Sequence, residues 1–216
     1  MPDAILDELI AAYPVLKQVK SDVFAAYQVL EECFQRDHTL FTCGNGGSAA
    51  DADHIVGELL KAFVLPRPLP VSEKRFLKKS GWINSLDLMK KLQCGLKAVN
   101  LMSQTAIFSA AENDLGADMG IAQTLCGLGR KGDCLLAIST SGNAKNIYLA
   151  CQVAKARKIK IIGLTGKTGG LLKSMADVCI VIPSNETYKI QELHLPVYHA
   201  LCRMVEKRFF GAEASE

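Results

Sequence analysis

No stretch of this chain reaches the 18 or so consecutive apolar residues that a membrane helix needs, so transport and other membrane-spanning roles are not expected. The first residues, Met1-Pro2-Asp3-Ala4, lack the basic and apolar regions of a secretory signal, and a cytoplasmic protein is expected. Aromatic residues make up only 6 per cent of 216 while hydrophobic residues make up 49 per cent, which describes a core built from aliphatics. A net charge of +3 is too small to argue for a nucleic-acid partner. C-x-x-C spacing is missing too: the eight cysteines are scattered through apolar runs and read as reduced core thiols rather than a disulfide framework. The length fits a single α/β domain.

What is present is concentrated between Thr42 and Phe63. Cys43-Gly44-Asn45-Gly46-Gly47-Ser48 follows the apolar pair Leu40-Phe41 and leads into a helical pattern carrying Asp51, His54 and Glu58. A strand, a glycine turn and a helix in that order aim backbone N–H groups and a positive helix end at one point, which suits an anion such as phosphate. Ser48 adds a hydroxyl, and Asp51 three residues on is expected to complete a capping box with it. His54 and Glu58, four apart, share one helix face. A proton-handling pair beside a phosphate cradle points to sugar-phosphate chemistry. Cys43 abuts the turn, where a thiolate would be stabilised, but reads as a small residue closing a strand.

Gly44, Gly46 and Ala49 also fit the dinucleotide pattern G-x-G-x-x-A. The acidic residue expected about 20 positions on is replaced by Val64-Leu65-Pro66-Arg67-Pro68, so no nucleotide cofactor is expected. Thr165-Gly166-Lys167-Thr168-Gly169-Gly170 lacks P-loop spacing because Ile161 stands where the first glycine belongs; it reads as an ordinary loop.

Along the rest of the chain, apolar positions at helical spacing over 3–36 predict a helical region divided at Pro14, for oligomerisation or for packing within the chain. Pro66–Pro70 reads as a stiff connector. Residues 72–98 carry seven basic side chains (Lys74, Arg75, Lys78, Lys79, Lys90, Lys91, Lys97) over an apolar underside and read as a helical insert with a solvated face, a lid or specificity role remaining the alternative. A strand is expected near Thr105–Phe108 and a helix over Leu115–Leu128. Asp133–Ile138 is a buried parallel strand by its apolar run, ending in Ser139-Thr140-Ser141-Gly142-Asn143 before a helix over Ala144–Lys155. Two phosphate-shaped turns, each at the carboxyl end of a parallel strand, predict one shared crevice. Strands over Lys158–Leu164 and Val178–Ile182 and a helix from Glu186 to Phe210 complete the pattern.

With these residues the chain resembles the sugar isomerase (SIS) domain proteins, and among them the phosphoheptose isomerases. The resemblance rests on Gly44 to His54 with Glu58, on Ser139-Thr140-Ser141-Gly142-Asn143, and on Ile190-Gln191-Glu192-Leu193-His194 with His199. It implies a three-layer α/β sandwich with a central parallel sheet, flavodoxin-like, in one domain over 1–216 interrupted by the insert. It further implies a homotetramer with active sites between subunits, and interconversion of a ketose and an aldose phosphate through an enediol on the way to lipopolysaccharide or related glycans.

By the same resemblance Glu58 is the base moving a proton between C1 and C2, and His199 its acid-base partner at the oxygens. Asn45, Gly46, Ser48, Ser139, Thr140, Ser141 and Gln191 hold the phosphosugar, and His54, Glu58, Gln191 and His199 form a zinc site. Pro196, between Gln191 and His199, predicts a bend in the last helix. His194 reads as a core or capping histidine. Ala144 replaces a serine typical of the family and Gln104 an aspartate common there, which concerns the choice of sugar. Other readings stay open: an isomerase for a different phosphosugar, a lyase or etherase for an amino-sugar phosphate, or a non-catalytic member that binds sugar phosphate or associates with a replication initiator.

Overall fold

Apolar runs bounded by turns become the strands of this protein. In the computed structural model, which describes residues 2–211, Leu40–Cys43 (β1), Ala98–Asn100 (β2), Cys134–Ser139 (β3), Lys160–Thr165 (β4) and Val178–Val181 (β5) form one sheet. The order is β2-β1-β3-β4-β5, with every neighbouring pair parallel. All residues of β1 and β3 are buried, as a sheet covered on both faces requires.

The period of two in a strand divides those residues between two cores. Leu40, Leu136, Ile138, Ile162, Leu164 and Ile180 face one helical layer, while Phe41, Cys43, Leu135, Ala137 and Ile161 face the other. The first layer holds Pro2–Ala12 (α1), Lys20–Gln35 (α2), Gly47–Leu60 (α3) and Thr187–Phe210 (α10). The second holds Gly120–Leu128 (α7), Lys145–Ala156 (α8) and Gly170–Met175 (α9), with Thr105–Leu115 (α6) packed on α7. The three-layer sandwich expected from the sequence is therefore the fold found.

Pro14 divides the N-terminal region as expected: α1 ends at Ala12, Pro14–Val19 is a tight 3-10 turn, and α2 starts at Lys20. Ile5, Leu6 and Leu9 are buried and α1 packs on α10, so packing within the chain accounts for its apolar face. Residues 72–98 yield two short helices, Val71–Lys79 (α4) and Ser85–Lys91 (α5), followed by an extended return into β2. α4 buries none of its residues, and Trp82 and Ile83 are exposed. Among the described residues no helix is long and apolar enough to cross a membrane.

Three expectations are corrected. Thr105–Phe108 is the first turn of α6, not a strand; the missing strand is Ala98–Asn100, at the end of the basic segment. Leu115 closes α6, and the following helix begins only at Gly120. Residues 165–170 are more than a connecting loop: Gly166 N–H donates to Thr140 O (3.1 Å), and Leu172 N–H, in α9, to Gly142 O (2.9 Å), so this segment braces the hydroxyl-bearing turn after β3.

Candidate functional site

In a sheet of order 2-1-3-4-5, connections leave β1 and β3 in opposite directions, and the crevice between their carboxyl ends is where ligands of open α/β sheets bind. Both sequence-predicted turns lie there. Gly46 takes φ +54, a left-handed conformation that favours glycine, and starts α3. At Gly47 a Cβ would stand 2.5 Å from Gln191 Nε2, so glycine is what lets α10 bring that amide against the loop. The side chains of Asn45 and Asn146 exchange two hydrogen bonds of 2.9 Å, tying the first turn to the start of α8. Ser48 and Ser139 are buried, Thr140 and Ser141 half-buried, and Ser141 Oγ accepts the Asn143 N–H.

The expected capping box is absent. Gly46 is the N-cap of α3 with no side-chain hydrogen bond, and Asp51 turns instead toward α10, where Tyr198 Oη donates to its Oδ1 (3.3 Å). Burial raises the Asp51 carboxyl, opposed by the Tyr198 bond and by His54. Cys43 is fully buried, and burial pushes its thiol well above its ordinary value, which makes it the inert strand end expected.

α3 and α10 pack side by side, Gln191 reaching Gly47 and Tyr198 reaching His54. His54 Nδ1 lies 2.9 Å from Tyr198 Oη, and His54 Nε2 lies 3.0 Å from Glu58 Oε1; Lys61 Nζ approaches the other Glu58 oxygen at 3.8 Å. The His199 ring sits edge-on to both His54 (5.1 Å between centroids) and Tyr198 (5.0 Å), with Phe63 behind it at 5.3 Å. Pro196 lies inside a helix that runs unbroken from Thr187 to Phe210, and His199 reaches the pair on α3. Burial holds the His199 imidazole below its usual value, His54 adding to that and Glu58 opposing it. A neutral imidazole can both give and accept a proton, as an acid-base partner must. His199 Nε2 and Asp51 Oδ2 are buried with no hydrogen-bond partner.

Three of the four expected zinc ligands thus gather at one place, with Gln191 nearer the glycine loop. Among the described residues, however, no three His, Cys, Asp or Glu side chains stand in a metal-holding arrangement; His54 and Glu58 face one another. His194 is fully buried, its ring nitrogen 3.5 Å from Thr165 O, and stays outside the site as expected. Sequence reasoning missed Tyr198 and Asn146. Asn146 was findable from its place in the first turn of α8; Tyr198 contacts His54 across 144 residues, and no local spacing announces that.

Just beyond the site, Arg67 and Glu206 form a buried ion pair (2.8 Å). Arg67 also donates to the carbonyls of Leu59 (2.7 Å) and Glu58 (3.0 Å), and Glu206 accepts the N–H groups of Phe63, Val64 and Leu65. The segment read as a stiff connector is therefore a clamp on the last turn of α3, which carries Glu58.

The sandwich, strand order and paired turns define an α/β protein of the SIS fold, and the SIS domain family matches residues 114–204. The structure of phosphoheptose isomerase from Neisseria gonorrhoeae superposes with a TM-score of 0.72 at 31% identity, covering 95% of this chain and 96% of that one. The phosphoheptose isomerase of Akkermansia muciniphila is 32% identical over 199 residues (92% of each chain), and that of Thiobacillus denitrificans 38% over 177 residues (81% of this chain and 77% of the relative). The chain belongs to the phosphoheptose isomerase family, and it is an isomerase of the SIS class.

Proposed function

We propose that this protein interconverts a ketose phosphate and an aldose phosphate, with sedoheptulose 7-phosphate as the ketose. The observation that carries this reading is the meeting of Glu58 and His199 at His54, beside two turns that end neighbouring parallel strands. The phosphate lies against Ser48, Ser139, Thr140 and Ser141 and the N-terminal ends of α3 and α8, with Asn45, Gly46 and Gln191 shaping the approach. Glu58 removes a proton from C1 while His199 gives one to the C2 oxygen, forming the enediol. His199 then takes the proton of the C1 hydroxyl as Glu58 returns its own to C2, leaving an aldehyde. While Glu58 holds the proton it exchanges with solvent, so the reaction leaves a label. Purified protein incubated in deuterated water with a panel of ketose phosphates is expected to exchange deuterium into the C1–C2 unit of at least one; failure across the panel overturns the reading.

A zinc ion held by His54, Glu58, Gln191 and His199 belongs to the same proposal. The donor types suit zinc, and the unpartnered Nε2 of His199 supports it; the ion would have to open the His54–Glu58 pair. When bound, it would polarise the sugar carbonyl. Chelator-treated protein titrated with zinc is expected to take up one ion per chain, and His199→Ala to abolish that uptake. We read the assembly as a cytoplasmic homotetramer making precursors of lipopolysaccharide or a related glycan. The groove of about 360 Å³ between α1 and α10, which leaves one side of His199 uncovered within the chain, supports a site completed at a subunit contact.

A further inference from the structure

Four polar groups form a chain across the α3–α10 contact: Asp51 Oδ1, Tyr198 Oη, His54 on both ring nitrogens, and Glu58 Oε1. A hydroxyl has one proton to give, a carboxylate has none, and a neutral imidazole has one on a single nitrogen. Tyr198 Oη stands 3.3 Å from Asp51 and 2.9 Å from His54 Nδ1. Both contacts are hydrogen bonds only if Tyr198 gives its proton to Asp51 and accepts one from His54 Nδ1.

We infer that Tyr198, held by Asp51, is a positioning residue that keeps the proton of His54 on Nδ1 and leaves the Nε2 lone pair for the site. This rests on the isomerase reading for its consequence, though not for its geometry. An Nε2 lone pair 3.0 Å from a carboxylate oxygen draws a proton or a cation into the gap between the two. With the proton fixed on the far side of the ring, His54 offers a vacant nitrogen beside Glu58, the arrangement in which imidazole and carboxylate take a divalent ion or pass a proton. Had Tyr198 been apolar, the neutral ring would place its proton on Nε2, donate to Glu58 and close the pair. Tyr198 is almost fully buried and its ring packs edge-on to both His54 and His199, so the hydroxyl has little freedom to leave this line.

The test reads the ring nitrogens directly. With four histidines in the chain, two-bond nitrogen–proton correlations of protein labelled at histidine can be assigned with a His54→Gln reference. Spectra are taken on the alkaline plateau of the ring shifts, without substrate. Wild type is expected to show His54 protonated at Nδ1, with or without an ion at Nε2. Tyr198→Phe, which keeps the packed ring, is expected to move the proton to Nε2. Asp51→Ala frees the Tyr198 proton to point at Nδ1 and should do the same, whereas Asp51→Asn keeps an acceptor oxygen and should leave the wild-type pattern. In turnover, Tyr198→Phe is expected to lower kcat about 10- to 100-fold, as loss of an orienting partner does, with KM changed less than about twofold. A wild-type ring protonated at Nε2, or a Tyr198→Phe ring indistinguishable from wild type, overturns the inference. Because the shifts need no substrate, they decide it even where the ketose-phosphate panel shows no turnover.

Discussion

Two polar clusters bridge the same pair of helices, α3 and α10, about two turns apart along α10, and they are built on opposite principles. In the Arg67–Glu206 clamp both carboxylate oxygens and all three guanidinium nitrogens have partners, and the guanidinium also stacks 4.6 Å above the Phe210 ring. In the group of Asp51, His54, Glu58, Tyr198 and His199, Asp51 Oδ2 and His199 Nε2 are buried with nothing to bond to. Leaving a buried polar atom unpaired costs about 1–3 kcal/mol, so a fold that can satisfy one cluster completely is not forced to leave its neighbour open. On the proposed function, the difference separates polar groups that hold the helices together from polar groups kept ready for a ligand.

Substitutions at the two acidic residues test that separation in opposite directions. Glu58→Gln should lower turnover by about 10²- to 10⁴-fold, the share that a positioned acid-base group supplies. Its unfolding free energy should stay within about 1 kcal/mol of wild type, since the contacts its carboxylate makes are to the partly exposed His54 ring and the exposed Lys61. Glu206→Gln should instead cost about 3–5 kcal/mol of stability, because it leaves the Arg67 charge buried without its counter-ion. Urea unfolding beside a turnover assay distinguishes the two. Should Glu58→Gln unfold as readily as Glu206→Gln, the open cluster is structural after all.

Local patterns carried most of the fold. β3 and β4 were legible because continuous apolar runs bounded by turns specify strands buried on both faces, and α10 because its apolar spacing persists over six turns. β2 was not, since three residues at the end of a lysine-rich segment have no period to read; its place is fixed by pairing along β1. The β-branched and aromatic residues of Thr105–Phe108 imitated a strand, but Phe108 packs on Gly120 and draws the segment into α6. In the site, the residues on α3 declared themselves through i,i+4 spacing, and His199 through its motif. Asp51 was misread as a cap because its true partner lies 147 residues away, and Arg67 as part of a connector because Glu206 lies 139 residues on. Hydrogen bonds between distant segments leave no trace in a window of neighbouring residues.

A smaller effect sharpens the comparison by adding two histidines of one helix. His194 and His199 are five residues apart on α10, and burial depresses both, but His194 is fully buried against β4 while His199 borders an open groove. For His194 the folded value falls to about 4 from 6.5. Above 6.5 neither state binds the proton, and the contribution to stability is complete. Between 6.5 and 4 the unfolded chain takes up a proton that the folded chain refuses, so stability falls as pH falls, by about 3 kcal/mol across that window. His194→Gln removes that titration, and urea unfolding at a series of pH values should show the variant losing less stability than wild type over it. His199→Ala should flatten the slope less than His194→Gln does, because a half-buried ring is better solvated when charged than a fully buried one. Equal slopes for wild type and His194→Gln would mean that water reaches His194 in the folded chain and that burial alone does not set the two histidines apart.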